Sequence, residues 1–356
     1  MALLPFSLVR RLAPSLRPLR ALAAGRWLRE ADVDALLGGL HPAWRLSRVM
    51  AQVIGREWVS DDLLALRLRC NGNAHRWQAG QHVQLYLTLD GVRHSRSYSL
   101  TRVEADGVIE LGIRRQPGGR LSNRLLDHLA VGSVLELGQA QGELQWPQQA
   151  AGVGLLAAGS GITALLGLLR AALARGYAAP VTLLHYVRRA GQRAYVDELQ
   201  QLMQRHPNLQ VRWRVTGQGD ERFQPSHLDG LQGFALLACG PAGFVEAVQA
   251  GCGGALQSEA FSPPRQTTEP SQRLQLDFAR SRQQGAGDSA RNLLEQAEAH
   301  GLRPAHGCRQ GICASCTCLL LEGAVRDLRS GAICAEPGQP IRLCISAPLS
   351  DVRIDL

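Results

Sequence analysis

Cys308-Arg309-Gln310-Gly311-Ile312-Cys313-Ala314-Ser315-Cys316 carries three thiols in nine positions, and a fourth candidate follows at Cys344. The C-x4-C-x2-C…C spacing is that of a plant-type [2Fe–2S] cluster, in which four thiolates hold two irons. Gly311 suits a loop that must fold tightly and turn its N–H groups toward sulfur. Zinc is the alternative, because C-x2-C pairs also build zinc knuckles. Zinc sites, however, usually come as two short pairs rather than three clustered cysteines and a distant fourth. The stretch therefore predicts a centre that moves single electrons.

Upstream, Ser262-Pro263-Pro264-Arg265-Gln266-Thr267-Thr268-Glu269-Pro270-Ser271-Gln272 is rich in proline and nearly free of apolar residues. It reads as a linker (262–272) that isolates a C-terminal block, 273–356. In that block Leu274 to Phe278 alternates as a strand. Asp288 or Ser289 can cap a helix running to Ala299, Gly301 can stop it, and Thr317 to Leu321 is a further strand.

Residues 149–261 alternate strand and helix. Val153 to Ala158 is a short buried strand ending in glycines, followed by a helix from Ile162 to Ala174. Val181–Tyr186, Leu209–Val215 and Phe234–Ala238 are further strands, with a helix from Tyr195 to Arg205. This pattern predicts a parallel sheet with helices on both faces. Residues 48–148 instead read as short strands joined by turns, with Asp90-Gly91 a hairpin signal, the signature of a small antiparallel β-barrel.

Residues 1–47 form a basic arm. Arg10, Arg11, Arg17, Arg20, Arg26 and Arg29 precede any strong run of acids, and the first acid is Glu30. Leu8, Leu12, Leu16, Leu19 and Leu22 recur at helical intervals, while Pro14 and Pro18 interrupt any single helix. No apolar run approaches the roughly 20 residues of a membrane span. Two readings stand: residues 1–29 touch a membrane surface or partner, or they pack on their own domain. A transit peptide has the same composition.

The chain has 356 residues, enough for two or three domains, and a net charge of +9 carried by arginine alone, since lysine is absent. Schiff-base chemistry and P-loop phosphate binding through lysine are excluded, and any phosphate held by a side-chain cation must meet arginine. The arginines are dispersed and aromatics are few, which argues against nucleic-acid binding. Nine cysteines, an odd number and clustered, point to a reducing cytoplasm rather than a disulfide scaffold. Cys70, Cys252, Cys318 and Cys334 are expected to be small buried hydrophobes.

Several weaker motifs lie along the chain. Arg96-Ser97-Tyr98-Ser99 follows Gly80-Gln81-His82, and Arg96 and Tyr98, two apart on a strand, share a face. Gly118-Gly119-Arg120-Leu121-Ser122-Asn123 opens a helix whose free N–H groups suit an anion. Gly159-Ser160-Gly161-Ile162-Thr163 and Cys239-Gly240-Pro241 both end strands on what should be one sheet edge. Taken singly, each is also an ordinary turn or strand.

In this order, and with Glu259-Ala260-Phe261, these motifs resemble the ferredoxin–NADP reductase family over residues 41 to 356. The resemblance implies three domains: a flavin-binding antiparallel β-barrel, an α/β parallel-sheet nucleotide-binding domain and an α+β β-grasp ferredoxin domain. It implies Arg96, Tyr98 and Ser99 at the flavin, with Gly119, Leu121 and Ser122 at its phosphate. It places Gly159, Gly161, Thr163 and Gly240 around the nicotinamide, Cys239 near its reacting carbon, and Glu259 and Phe261 near the flavin edge. Cys308, Cys313, Cys316 and Cys344 would be the cluster ligands. Arg188, Arg193 and Tyr195 resemble a set that reads the 2′-phosphate and adenine of NADPH. Where the family often has proline this chain has Ala164, so the start of that helix would be less rigid.

The implied activity is electron transfer from NADPH (NADH as the alternative) to FAD (FMN as the alternative), then to [2Fe–2S] and an acceptor protein. A plant-type cluster sits near about −400 mV, which suits an oxygen-activating acceptor. The expected acceptor is a di-iron fatty-acid desaturase, the rival a soluble ring-hydroxylating oxygenase. A non-enzymatic redox sensor is the third reading. The expected location is cytoplasmic, or peripheral to the inner face of a membrane.

Overall fold

A computed structural model describes residues 3–89, 92–217, 222–261 and 271–356. The Asp90-Gly91 turn and linker residues 262–270 lie outside them. Two compact units form, one comprising residues up to Gly240 with Ala247–Glu259, the other Pro241–Glu246 with Ala260–Leu356.

The N-terminal arm folds as α1 (Phe6–Leu12), a 3-10 turn over Ala13–Leu16, α2 (Arg17–Ala24) and α3 (Glu30–Leu40). Pro14 and Pro18 fall in the first two positions of the turn and of α2, where a missing N–H costs nothing. The arm packs on its own unit. Phe6, Val9, Ala13 and Leu16 are buried, and Arg20 donates to the carbonyls of Leu46 (2.7 Å) and Ala13 (3.1 Å) and to Asn73 Oδ1 (2.8 Å).

Six strands follow: β1 (Val49–Trp58), β2 (Leu63–Cys70), β3 (His82–Leu89), β4 (Val92–Val103), β5 (Val108–Arg114) and β6 (Val134–Leu137). They close into a barrel in the order β1-β2-β5-β4-β3-β6 with antiparallel pairings. Leu66, Leu68, Leu85, Leu100, Leu111 and Ile113 fill the interior with no exposed surface. Each such side chain stabilises the fold by roughly 1.5–3 kcal/mol relative to exposure. Helix α4 (Arg120–His128) covers the barrel, with Leu121, Leu125 and Leu126 in the same core.

Strands β7 (Val153–Ala158), β8 (Val181–Val187), β9 (Leu209–Val215), β10 (Ala235–Gly240) and β11 (Leu256–Ala260) form a second sheet in the order β11-β10-β7-β8-β9. The β7–β8, β8–β9 and β7–β10 pairs are parallel. All residues of β7 and β8 are buried, as expected of strands covered on both faces. Helices α5 (Ile162–Ala174), α6 (Val196–Arg205) and α7 (Ala242–Gly251) make the connections. Chain order reverses at β7, so the ends of β7 and β10 flank the switch point where open α/β sheets bind ligands.

The C-terminal strands are β12 (Arg273–Phe278), β13 (Gln283–Asp288), β14 (Thr317–Glu322), β15 (Val325–Asp327), β16 (Ile333–Cys334), β17 (Pro340–Arg342), β18 (Ser346–Pro348) and β19 (Val352–Ile354). The main sheet runs β13-β12-β19-β14-β17, with β12 and β19 parallel, and β16-β15-β18 form a small second sheet. Helix α8 (Leu293–Ala299) packs Leu293, Leu294 and Ala297 into their core, which is the β-grasp arrangement. Its cap differs from expectation. Asn292, not Asp288 or Ser289, accepts the Glu295 N–H at 2.9 Å, because Asp288 still belongs to β13.

Candidate functional site

On β4 the strand register sets Arg96 opposite Leu85, Tyr98 opposite Val83 and Ser99 opposite His82. Arg96 is exposed, Tyr98 half-buried against the barrel core and Ser99 buried. Burial pushes the Tyr98 phenol well above its usual range, so the ring is a neutral flat surface. Gly118 takes φ +68, and Gly119 leads into α4. Leu121 has its side chain in the core, so only its N–H, with that of Ser122, belongs to the open first turn of the helix.

At the end of β7, Gly159 (φ +55), Ser160 and Gly161 make a 3-10 turn that runs straight into α5. A Cβ on Gly161 would fall inside the Cys239 carbonyl, so glycine alone allows this turn to lie on the end of β10. Thr163 donates its hydroxyl to the Ser160 carbonyl at 2.9 Å and turns its methyl toward Gly112 of the barrel. These contacts anchor the helix start beside Ala164.

Cys239 is fully buried, and burial, then the nearby Glu259 carboxylate, push its thiol far up. It is a neutral thiol, not a nucleophile. Glu259 Oε1 lies 3.2 Å from His82 Nδ1, with both side chains buried. Glycine residues hold the barrel and sheet together: Gly167 of α5 sits on the Leu100 carbonyl, and Gly80 leaves room for Leu168.

Three residues at this junction carried no expected role. Arg170 of α5 reaches Glu110 Oε1 (2.8 Å), the Thr101 carbonyl (2.9 Å) and Glu198 Oε1 (2.7 Å). Burial would raise the Glu110 carboxyl, but the Arg170 charge and the Thr101 hydrogen bond outweigh it and hold it ionised. Arg114 binds Asp62 at 2.9 Å and lies against Gly159. His185, enclosed in β8, has Nε2 3.1 Å from the Gly159 carbonyl and is pushed down to about 4 by burial. It is therefore neutral and donates its Nε2 proton to the turn. A histidine inside an otherwise apolar strand was the signal available in the sequence.

Arg188 is exposed at the end of β8, and its carbonyl accepts the Gly217 N–H at 3.1 Å. Arg193 is exposed, with Nε donating to the Ala190 carbonyl at 3.1 Å. Tyr195 corrects the expectation of adenine stacking. It takes φ +57 and turns inward, 5% exposed, with the Arg170 guanidinium 5.0 Å above its ring. A buried ring already covered by a cation offers no free face.

In the C-terminal unit, Cys308, Cys313, Cys316 and Cys344 are all buried. Backbone N–H groups point at their sulfurs: Gln310 to Cys308 (3.3 Å), Cys308 to Cys313 (3.2 Å) and Gly311 to Cys344 (3.2 Å). Gly311 needs its φ of +77 for this, and a Cβ there would strike Ile345. The thiols interact two by two, Cys308 with Cys313 and Cys316 with Cys344. Two pairs lined by N–H donors fit a two-iron core. Arg342, beside Cys344, donates to the Gly311 carbonyl, and Gln310 donates to the Phe261 carbonyl at 2.7 Å. Of the cysteines expected to be inert, Cys70 is buried, whereas Cys252, Cys318 and Cys334 are only half-buried.

A barrel with a flat phenol and an open helix start, a parallel sheet with a glycine turn at its switch point, and a four-thiol loop define an electron-transfer oxidoreductase. Comparison with known proteins agrees. The chain matches the oxidoreductase FAD-binding domain over residues 50–146, the oxidoreductase NAD-binding domain over 155–250 and the 2Fe-2S iron-sulfur cluster binding domain over 279–349. It is 30% identical to an NADPH oxidoreductase of Mycobacterium tuberculosis (strain ATCC 25618 / H37Rv), over 96% of this chain and 93% of the other. It is 34% identical to the heme-dependent oxidative N-demethylase beta subunit of Ectopseudomonas mendocina (strain ymp), over 79% and 89%. Phthalate dioxygenase reductase shares the fold, with a TM-score of 0.60 at 20% identity over 87% of this chain and 98% of that one. The chain belongs to the ferredoxin–NADP reductase family, in the group with a C-terminal [2Fe–2S] domain. It is an NAD(P)H-dependent oxidoreductase whose cofactors are FAD and [2Fe–2S].

Proposed function

We propose that this reductase draws on NADPH and serves a membrane-bound oxygen-activating acceptor, a di-iron fatty-acid desaturase foremost. The observation that carries the reading is the N-terminal arm. It precedes the first family-matched residue, 50, yet a match covering 96% of the chain must include most of it. The arm leaves Arg11, Arg17, Arg26 and Arg29 exposed, which suits work at an anionic surface through residues 1–29. No helix among the described residues is long and apolar enough to cross a membrane, so contact would be peripheral.

Flavin and cluster together supply conversion of a two-electron hydride into single electrons. The chain's own residues would bind and orient. Arg96 would neutralise flavin phosphate, Tyr98 and Ser99 would support the ring, and the Gly119–Ser122 helix start would receive the remaining phosphate. The Gly159–Gly161 turn, Thr163 and Gly240 would shape a dry nicotinamide pocket floored by Cys239, with Glu259 and Phe261 at its flavin edge. Arg188 and Arg193 would meet the 2′-phosphate, in keeping with the name of the mycobacterial relative. Cys308, Cys313, Cys316 and Cys344 would hold the irons as thiolates.

A second reading, reductase of a soluble oxygenase, is favoured by two relatives, one named as part of a demethylase and the other as part of the 1,2-phenylacetyl-CoA epoxidase of Escherichia coli (strain K12). Reconstitution decides. Purified protein and NADPH should support fatty-acyl desaturation by desaturase-containing membranes. Failure there, with turnover of a soluble oxygenase component, would transfer the assignment to the second reading.

A further inference from the structure

The sequence pattern assigns any surface contact of the arm to the leucine stripe between residues 8 and 22. The structure does not leave that stripe free. Val9 is 1% exposed and Leu16 5%, both against the arm's own unit. Leu8, Leu12 and Leu19 are half-buried, and Arg20 is fully engaged with Leu46, Ala13 and Asn73.

Only Leu22 of the stripe is open, and other apolar residues face water with it. Trp27 is 82% exposed, Leu36 77% and Leu3 72%, with Leu22 and Leu40 also open. Local geometry gathers them into two groups. The N–H of Trp27 returns to the Leu22 carbonyl at 3.0 Å through a turn that places Arg26 at φ +61. Leu36 and Leu40 lie one turn apart on α3, and the Leu3 N–H bonds the Leu40 carbonyl at 2.9 Å. Arg11, Arg17, Arg26 and Arg29 are exposed on the same three helices and their turns. The acids there are three: Glu30 is half-buried, Asp34 is buried beside Arg48 at 3.2 Å, and Asp32 is a loose neighbour of Arg29 at 3.9 Å.

A tryptophan so exposed is costly in water and is typical of the headgroup level of a bilayer, where its ring is half apolar and half polar. Surrounding arginines favour anionic lipid by about 1 kcal/mol each near the surface. We propose that Trp27 and Leu22 on one side, and Leu36, Leu40 and Leu3 on the other, form a docking face for an anionic lipid bilayer. This deepens the membrane reading above, yet its test involves no acceptor.

The holoprotein should co-sediment with phosphatidylglycerol–phosphatidylcholine vesicles, bind phosphatidylcholine alone weakly, and detach in high salt. Trp27→Ser and Leu36→Gln should each lower partitioning by about tenfold, the scale of one buried apolar side chain. Both should leave NADPH–ferricyanide turnover unchanged, which shows that fold and flavin site survive. Equal sedimentation of wild type and variants, or no binding to anionic vesicles, overturns the proposal. So does a wild-type dimer that Trp27→Ser converts to monomer, since a second copy would then be the occupant. None of these failures touches the electron-transfer assignment.

Discussion

His82 Nδ1 and Glu259 Oε1 stand 3.2 Å apart, with side-chain exposures of only 4% and 8%. A carboxylate taken this far from water depends on its partner. His82→Leu should therefore cost about 3 kcal/mol in urea unfolding, because it strands the Glu259 charge. Glu259→Gln should cost less, since it removes the charge itself. Equal losses from the two variants would mean that the contact itself, rather than the buried carboxylate, sets the cost.

Acid should weaken the fold through His185. Its folded value, about 4, is depressed by burial, while an unfolded histidine titrates near 6.5. Between those values the unfolded chain takes up a proton that the folded chain refuses. Stability is then fully present above about pH 6.5 and falls as pH drops toward about 4, by up to ~1.4 kcal/mol per unit. His185→Phe should flatten this acid limb in pH-dependent denaturation. An unchanged slope would assign the limb to other groups.

Gly161→Ala should cripple nicotinamide-dependent flavin reduction, because the new methyl group meets the Cys239 carbonyl directly. The expected result is a large fall in the stopped-flow rate with NADPH, while dithionite still reduces the flavin. Wild-type rates in the variant would show that the turn and Cys239 are not in contact.

Cys313→Ser should abolish cytochrome c reduction and spare ferricyanide, which reduced flavin reaches directly. Cys318→Ser should spare both, because Cys318 lies on β14 and not in the N–H-lined loop. Loss of both activities in Cys313→Ser would contradict the order of carriers.

Arg188→Ala should raise KM for NADPH about tenfold or more and leave NADH unaffected, the scale of one hydrogen bond to a charged group. Tyr195→Phe should leave both KM values unchanged, since the ring is internal. A raised KM in Tyr195→Phe would show that the hydroxyl, not the ring alone, reaches the nucleotide.

The parts of this molecule that rest on local rules were readable in advance. Helix α5 runs from Ile162 to Ala174 as the apolar pattern requires, β9 spans Leu209–Val215 as expected, and the cysteine spacing marks the loop. The parts that rest on long-range packing were not. Asn292 becomes the cap of α8 only because β13 claims Asp288. Tyr195 turns inward because Arg170, 25 positions earlier in the chain, covers it in the folded protein. The Arg170–Glu110–Glu198 cluster joins three elements that no spacing relates.

The meeting of α5 with the barrel bears on how such reductases can be recombined. Gly167 fits only against a bare Leu100 carbonyl, Leu168 only over Gly80, and Thr163 only over Gly112. Chimeras that exchange the nucleotide-binding half as a cassette should fail unless these matching positions travel together. Exchange of the electron-carrier module meets the same demand, because its compact unit also takes in Pro241–Glu246, Ala260 and Phe261.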